Sequence, residues 1–511
     1  MFIMVLSGNL FSLYDYAKAA KHKSFRVLAS LYRTSPASIF RKFKKIKSRS
    51  HVMGAKFFET VTGQEWLIKM VVACILVFGI ICGIGSERLS LFFSLLSLTA
   101  FVGLSPRSIG RIEERIEGII DQYRATYDAK IKEAASDIDI TVGADETFFK
   151  NLMILVLMDL KSGFIFFEKP AEDRKHKTWD KLCMPWLSHF KNISCMVSDR
   201  AKALIKLAHD SVKKASIPDL FHLMQDVSKA VGSPIAKKIA VIKKQISTLT
   251  EESVSEIKQL EQKRGVMESS QRQYAKYYRR LSTTLHPFKI LTSEKQDTLT
   301  VQKEMLDNLD AIEKIKNTLN LSTEINKTRN QIVEASEQVN IWWNGVNNSL
   351  SGSHLNHEQK EWLMDYYLPV IYWQKQVHKT DSKQIKKLYI LSLKHSQQRM
   401  ANHNLSASMM HENDEPVWNS WASEMSNLFQ RASSAVEGRN GWLSQMHFCG
   451  RGLTEKRLRT QTTLSNYFLK RDDQTTACER LSGIKPECLF EFILKNIGPL
   501  PEPRKKRIDS G

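Results

Sequence analysis

The chain has 511 residues, with a formal net charge of +21 and an isoelectric point near 9.5. That length holds about two to four domains, and that charge calls for an anionic partner, either nucleic acid or an acidic membrane surface. The seven cysteines form no Cys-x-x-Cys pair, which argues against a disulfide framework or a zinc module and fits a reducing compartment.

The first apolar residues, Met1 to Leu13, are broken by Ser7, Gly8 and Asn9, and no cleavage pattern of a secretory signal follows. Residues 15–60 are basic, with Lys18, Lys21, Lys23, Arg26, Arg33, Arg41, Lys42, Lys44, Lys45, Lys47 and Arg49 interleaved with apolar positions. Short helices are predicted there, either as a solvated basic face or in contact with phosphates, and the total charge favours phosphates.

Two apolar stretches follow, at 70–84 and 91–104. A membrane hairpin is one reading, but both stretches fall short of the roughly 20 residues that span a bilayer, and Glu87 and Arg88 stand between them. The second stretch fits a helix-turn-helix at about residues 92–116. Gly103 would be the turn glycine, and Leu98, Val102, Leu104, Ile109 and Ile112 would pack two crossed helices. Ser105 and Pro106 open the second helix as N-cap and first-turn proline, so Arg107, Ser108 and Arg111 would face a groove. A plain helical hairpin in a core is the other alternative. Residues 111–135 are charged with helical spacing and link this region to the next domain.

From Ile140, apolar residues alternate through Val142 and Ala144 to Asp145, the pattern of a strand with one covered face. Leu152 to Leu160 and Phe164 to Phe167 predict two further strands, joined by a Lys161-Ser162-Gly163 turn. A helix at about 177–190, a strand at Ile193 to Val197 and a helix after Arg200 complete a β-β-β-α-β-α order. If the fourth strand runs parallel to the first, Asp145 and Asp199 meet at neighbouring strand ends. Paired carboxylates so placed hold divalent metals, although strand-end or helix-capping acids give the same spacing.

Several segments resemble the ribonuclease-H-like core of insertion-sequence transposases of the Asp-Asp-Glu type. They are Asp145-Glu146-Thr147-Phe148-Phe149, Leu157-Met158-Asp159-Leu160-Lys161-Ser162-Gly163, Ser198-Asp199-Arg200-Ala201-Lys202-Ala203-Leu204-Ile205 and Pro218-Asp219-Leu220-Phe221-His222. Much later, Ser433-Ser434-Ala435-Val436-Glu437-Gly438-Arg439-Asn440 resembles the helix that carries the family's glutamate. The resemblance extends over most of the chain, from about Gly85 to Lys505. It implies a catalytic and metal-holding triad of Asp145, Asp199 and Glu437 with two Mg²⁺ ions, Mn²⁺ being a possible substitute. Arg200, Lys202, His222, Arg439 and Asn440 would support the triad. Arg439 and Asn440 would contact a phosphate or position Glu437. Glu424 is the competing third acid.

Residues 225–345 carry apolar residues at helical spacing and read as an insertion between the second aspartate and the glutamate, or as a coiled-coil dimerisation module. Pro287 interrupts the pattern. The aromatics of 357–376 either stack on exposed bases or fill a core. After Gly441, Arg451, Lys456 and Arg457 belong to a basic run suited to a DNA backbone.

The expected architecture is therefore a mainly helical α+β protein. It comprises a basic helical region at 1–65, a helix-turn-helix region at 66–135 and the first part of a ribonuclease-H-like mixed-sheet core at 136–225. A helical insertion at 226–415, the core's second part at 416–485 and a basic tail at 486–511 follow. The resemblance implies a DNA transposase that cleaves element ends and joins them to target DNA. Its partners would be double-stranded DNA, at terminal inverted repeats and target, and a second copy of itself, with no membrane. Its location would be cytoplasmic and nucleoid-associated. The alternatives are a non-catalytic helix-turn-helix DNA-binding protein and a membrane protein with a helical hairpin at 66–104.

Overall fold

A computed structural model describes residues 18, 21, 23–249, 253–410, 414–448 and 452–503. The described chain is mainly helical, with five strands in one mixed sheet of order β3-β2-β1-β4-β5. Strand β1 (Asp139–Phe149) pairs antiparallel with β2 (Leu152–Asp159), Val142 standing opposite Asp159 and Phe149 opposite Leu152. Lys150, in the left-handed region at φ 53°, begins the tight turn between them. Strand β3 (Ile165–Ala171) continues the meander. The fully buried Asp159 shapes the β2–β3 turn, accepting from the Ser162 N–H at 2.7 Å, the Ser162 hydroxyl at 2.6 Å and the Thr141 N–H at 3.0 Å. Gly163 at φ 77° supplies the conformation that a side chain resists.

Strand β4 (Asn192–Ser198) returns parallel to β1 with Gly143 opposite Val197, and the short β5 (Ser216–Pro218) lies parallel beyond it. The β-β-β-α-β-α order read from the sequence is the one observed. One detail differs. Asp145 does not end β1, which continues four residues to Phe149 because β2 pairs with it along that whole length. Asp145 instead lies where the neighbouring β4 stops.

Both faces of the sheet are covered. Ile140, Val142 and Ala144 of β1 share one apolar cluster with Trp179 and Cys183 of the helix His176–Leu187. The opposite face, with Ile154, Val156, Met158 and Val197, meets Val436, Leu443 and Met446 of the helix Ser434–Met446. Gly143 is the point of closest approach: a Cβ there would lie 2.4 Å from Leu160 and 3.0 Å from Val436.

N-terminal to the sheet, the continuous helix Val61–Ile81 is long and apolar enough to cross a membrane, with mean hydropathy 1.9. It is longer than the apolar run at 70–84 suggested. One side of it (Leu67, Val71, Val72, Ile75, Leu76 and Ile80) is buried in the cluster that holds Ile109, Ile112 and Ile116 of the long helix Pro106–Ala134. The helix Ser86–Leu95 packs on that same helix. Leu98, Val102, Leu104, Ile109 and Ile112 are all buried, and Ser105 caps the Pro106 helix by accepting from the Ser108 N–H. The expected role of Gly103 is corrected. It donates its N–H to the Pro501 carbonyl at 2.7 Å, and a Cβ would stand 2.5 Å from the Glu502 carbonyl. The C-terminal segment, not the turn, requires glycine there; the left-handed turn residue is Ser97 at φ 56°.

Between β5 and the Ser434 helix lies a helical unit with its own core, running from Leu220 to Phe429. That core takes in the helices Leu220–Val227 and Glu415–Leu428, so its borders fall outside the 226–415 read from the sequence. Trp362, Tyr372 and Trp373 are fully buried in it, which makes the aromatics of 357–376 core residues rather than base-stacking ones. The long helix Val254–Thr284 ends just before His286-Pro287, and His286 is buried between the Tyr372 and Tyr389 hydroxyls at 2.5 and 3.0 Å.

Candidate metal centre

Strand lengths create the site. β1 outruns β4, so Asp199, the residue after β4, turns in beside the middle of β1. One carboxylate oxygen each from Asp145, Glu146 and Asp199 lie within 4.8 Å of one another. Asp145 is buried, and its two oxygens accept from the Glu146 N–H at 2.8 Å and from Asn440 Nδ2 at 2.7 Å. Asp199 accepts from the Ala201 N–H at 2.9 Å, and Arg200 between them takes the left-handed conformation, φ 69°. Glu146 is a site residue that the sequence reading passed over. The adjacent Asp-Glu pair was the available signal.

The helix Ser434–Met446 brings in the third segment. Glu437 lies in its first turn, and Asn440, one turn on, shares its face. Asn440 donates to Asp145, and Glu437 Oε1 is 3.6 Å from His222 Nε2. Arg439 points elsewhere. Its Nε and Nη2 bond both oxygens of the buried Glu168 on β3, at 2.5 and 2.7 Å, while Thr462 donates to the same carboxylate at 2.8 Å. Arg439 thereby ties the helix that carries Glu437 to β3.

His222 enters from the first turn of the helix after β5. Its Nδ1 is 3.1 Å from Asp219 Oδ2. Asp219 is buried, accepts also from the Phe221 N–H at 2.7 Å and from the Ser433 hydroxyl, and donates its own N–H to the Ser198 carbonyl at 2.9 Å. One aspartate thus ties the end of β4, His222 and the start of the Glu437 helix together.

The electrostatics follow from crowding. Burial pushes the Asp145 carboxyl up to about 7, with the charges of Glu437 and Asp199 adding to the rise. The Asp219 hydrogen bond raises His222 to about 9, helped by the negative charges of Asp219, Asp145 and Glu437. Burial and the nearby Asp199 raise Glu146 as well. Carboxylates forced together in this way fit a hard divalent cation, whose charge offsets their repulsion and whose preferred donors are carboxylate oxygens. A cation binds the ionised form of Asp145. Mg²⁺ affinity should therefore fall about tenfold for each pH unit below about 7 and level off above it. Isothermal titration between pH 5.5 and 8.5 checks this; a flat profile would remove Asp145 from the ligand set.

The remaining expected site residues are dispersed. Arg200 bonds Glu334 of the helical unit at 2.6 Å and the Ser216 carbonyl at 3.0 Å. Lys202 is exposed at the start of a short helix. Arg107 and Arg111 are exposed, and Ser108 is half-buried with its hydroxyl 2.9 Å from that of Ser105. Lys456 pairs with Glu117 at 3.0 Å and Arg457 donates to the Gly452 carbonyl at 3.1 Å, so both are engaged within the protein. Arg451 lies outside the described residues. Glu424 pairs with Lys161 at 2.8 Å on the helix Glu415–Leu428.

Comparison with known proteins adds one finding. Residues 363–509 match the model of a family of unknown function, DUF6399. No curated protein matches the chain. The matched stretch includes Glu437, Arg439 and Asn440 and leaves out the whole sheet with Asp145 and Asp199.

Proposed function

We propose that the protein is a DNA transposase of the Asp-Asp-Glu type, with a ribonuclease-H-like core divided by a helical insertion. The observation that carries this reading is the meeting of three distant segments: Asp145 of β1 beside Asp199, which directly follows the parallel β4, with Asn440 of the Glu437 helix bonded to Asp145. The strand order and the antiparallel-then-parallel pairing support the same core.

In this reading Asp145, Asp199 and Glu437 hold two Mg²⁺ ions, with Glu146 close enough to contribute. The ions supply the Lewis acidity for in-line displacement at a DNA phosphate, first by water and then by the freed 3′ hydroxyl. Asn440 keeps the Asp145 carboxylate turned toward the site, and Arg439 through Glu168 keeps Glu437 at its depth. The exposed cations of the N-terminal region (Arg26, Arg33, Arg41, Lys44 and Lys47) and of the Pro106 helix (Arg107 and Arg111) supply the phosphate contacts. The helix pair 86–134 acts as a helix-turn-helix on the element's ends, and a homodimer pairs two ends in the cytoplasm at the nucleoid.

The test uses purified protein, Mg²⁺ and duplexes carrying the DNA that flanks its own coding sequence. Cleaved 3′ ends joined to a second duplex are expected. Cutting without joining would make the protein a nuclease, and binding without either would make it a regulator. Arg107→Ala with Arg111→Ala should weaken specific end binding about tenfold or more, by gel shift at fixed salt. Unchanged binding would remove the helix-turn-helix assignment.

A further inference from the structure

His222 is more than a neighbour of the acids. Its ring is held from one side by a carboxylate that solvent does not reach: Asp219 is 1 % exposed and lies 3.1 Å from Nδ1. That leaves the other ring nitrogen, Nε2, aimed at the site, 3.6 Å from Glu437 Oε1. A carboxylate behind an imidazole whose far nitrogen faces other carboxylates is the arrangement by which proteins orient a histidine on a metal. Two donors about 2.1 Å from one ion stand about 3.0 Å apart at a right angle and about 3.4 Å apart at a tetrahedral angle, so the 3.6 Å pair needs to close by only a few tenths of an ångström to share one.

We propose that His222, oriented by Asp219, is a nitrogen ligand to a divalent ion that it shares with Glu437. The proposal rests on the metal-dependent reading above and deepens it, because it changes the donor set from oxygen alone to oxygen plus imidazole. The ion would lie on the Nε2 side of the ring, with Nδ1–H donated to Asp219. Asp219 is a positioning residue in this scheme. It also accepts from the Ser433 hydroxyl at the start of the Glu437 helix, so one buried carboxylate sets both ligands of the shared ion. The Leu220 N–H bonds the Arg431 carbonyl at 3.0 Å and clamps the same two segments at the backbone. The chemical consequence is metal preference. Imidazole is a borderline donor that first-row transition ions accept more readily than Mg²⁺ or Ca²⁺ do, so the ion beside Glu437 should be Mn²⁺-selective.

The experiment uses the full chain, without DNA, loaded with Mn²⁺ alone. Electron spin echo modulation should report directly coordinated ¹⁴N in the wild-type protein. His222→Gln should abolish that signal and weaken Mn²⁺ binding by about tenfold or more, while Mg²⁺ binding changes less. Asp219→Asn should weaken Mn²⁺ binding similarly. Circular dichroism melts confirm that each variant is folded, and the wild-type nitrogen signal needs no variant at all. Bound Mn²⁺ without nitrogen coupling, or a signal that survives His222→Gln, overturns the proposal and leaves the carboxylate centre standing. Failure of the carboxylate centre itself looks different: Mn²⁺ binding is then absent in the wild type or unaltered by Asp145→Asn.

Discussion

Asp145→Asn is expected to reduce DNA cleavage and strand transfer by at least about a thousandfold while leaving DNA affinity within about twofold. The substitution keeps the shape of the side chain. An amide oxygen still accepts from the Glu146 N–H, and Asn440, whose Oδ1 has no hydrogen-bond partner among the described residues, can turn over to accept from the new amide nitrogen. What is lost is the negative charge between Asp199 and Glu437. The exposed cations of the Pro106 helix and the N-terminal region are untouched.

The same variant should be more stable than the wild type when no metal is bound. An acid whose folded-state value, about 7, lies above its unfolded value near 3.8 is ionised first in the unfolded chain. Its stabilising contribution is therefore present below about pH 4 and lost as pH rises toward 7. At pH 8 the ionised Asp145 costs about 1–3 kcal/mol, which the amide removes. Loss of activity with gain of metal-free stability, read by thermal melts with chelator at pH 8, is the signature of a carboxylate placed for chemistry. A stability loss of similar size would identify Asp145 as an ordinary structural acid.

Arg439→Leu should cost about 3–5 kcal/mol of stability, because among the described residues it leaves the enclosed Glu168 carboxylate with only Thr462 as partner. Adding Glu168→Leu to the same protein should restore much of that loss, since a pair of apolar residues carries no uncompensated charge. Urea denaturation of the two single variants and the double variant forms the cycle that measures this. Equal losses that simply add would show that Arg439 and Glu168 act independently. Arg439→Leu should also lower cleavage, through displacement of the Glu437 helix, and the double variant should recover stability more fully than activity.

The part of the site carried by the strands was readable before the structure. Alternation at Ile140, Val142 and Ala144 marks one face of β1, although helices cover both, and a parallel β4 is enough to bring Asp199 to Asp145. The extension of β1 past Asp145 was not readable, because Glu146 and Thr147 are polar and pairing with β2, not local preference, holds them in the strand. Glu146 escaped notice for that reason. The choice between the two roles of Arg439, phosphate contact or positioning of Glu437, has no local mark, because its partner Glu168 is 271 residues away. The basic run after Gly441 looked like a DNA-facing strip, yet Lys456 answers Glu117 and Arg459 answers Asp121 across two packed helices. Asp219 stood in plain view beside His222, but its bond to Ser433 spans 214 positions and only folding reveals it. Amphipathic helices belonging to either core read alike in sequence; the side on which Ala422 and Met425 are buried is decided by tertiary packing.

The central claim is that Asp145, Asp199 and the Glu437 helix form one metal centre. Anomalous diffraction from crystals soaked in Mn²⁺ tests it most directly. The expected result is a manganese peak between the Asp145 and Asp199 carboxylates, within about 2.3 Å of an oxygen of each, and no peak there in Asp145→Asn crystals. A map with Mn²⁺ bound elsewhere on the protein and none between these two aspartates would contradict the claim.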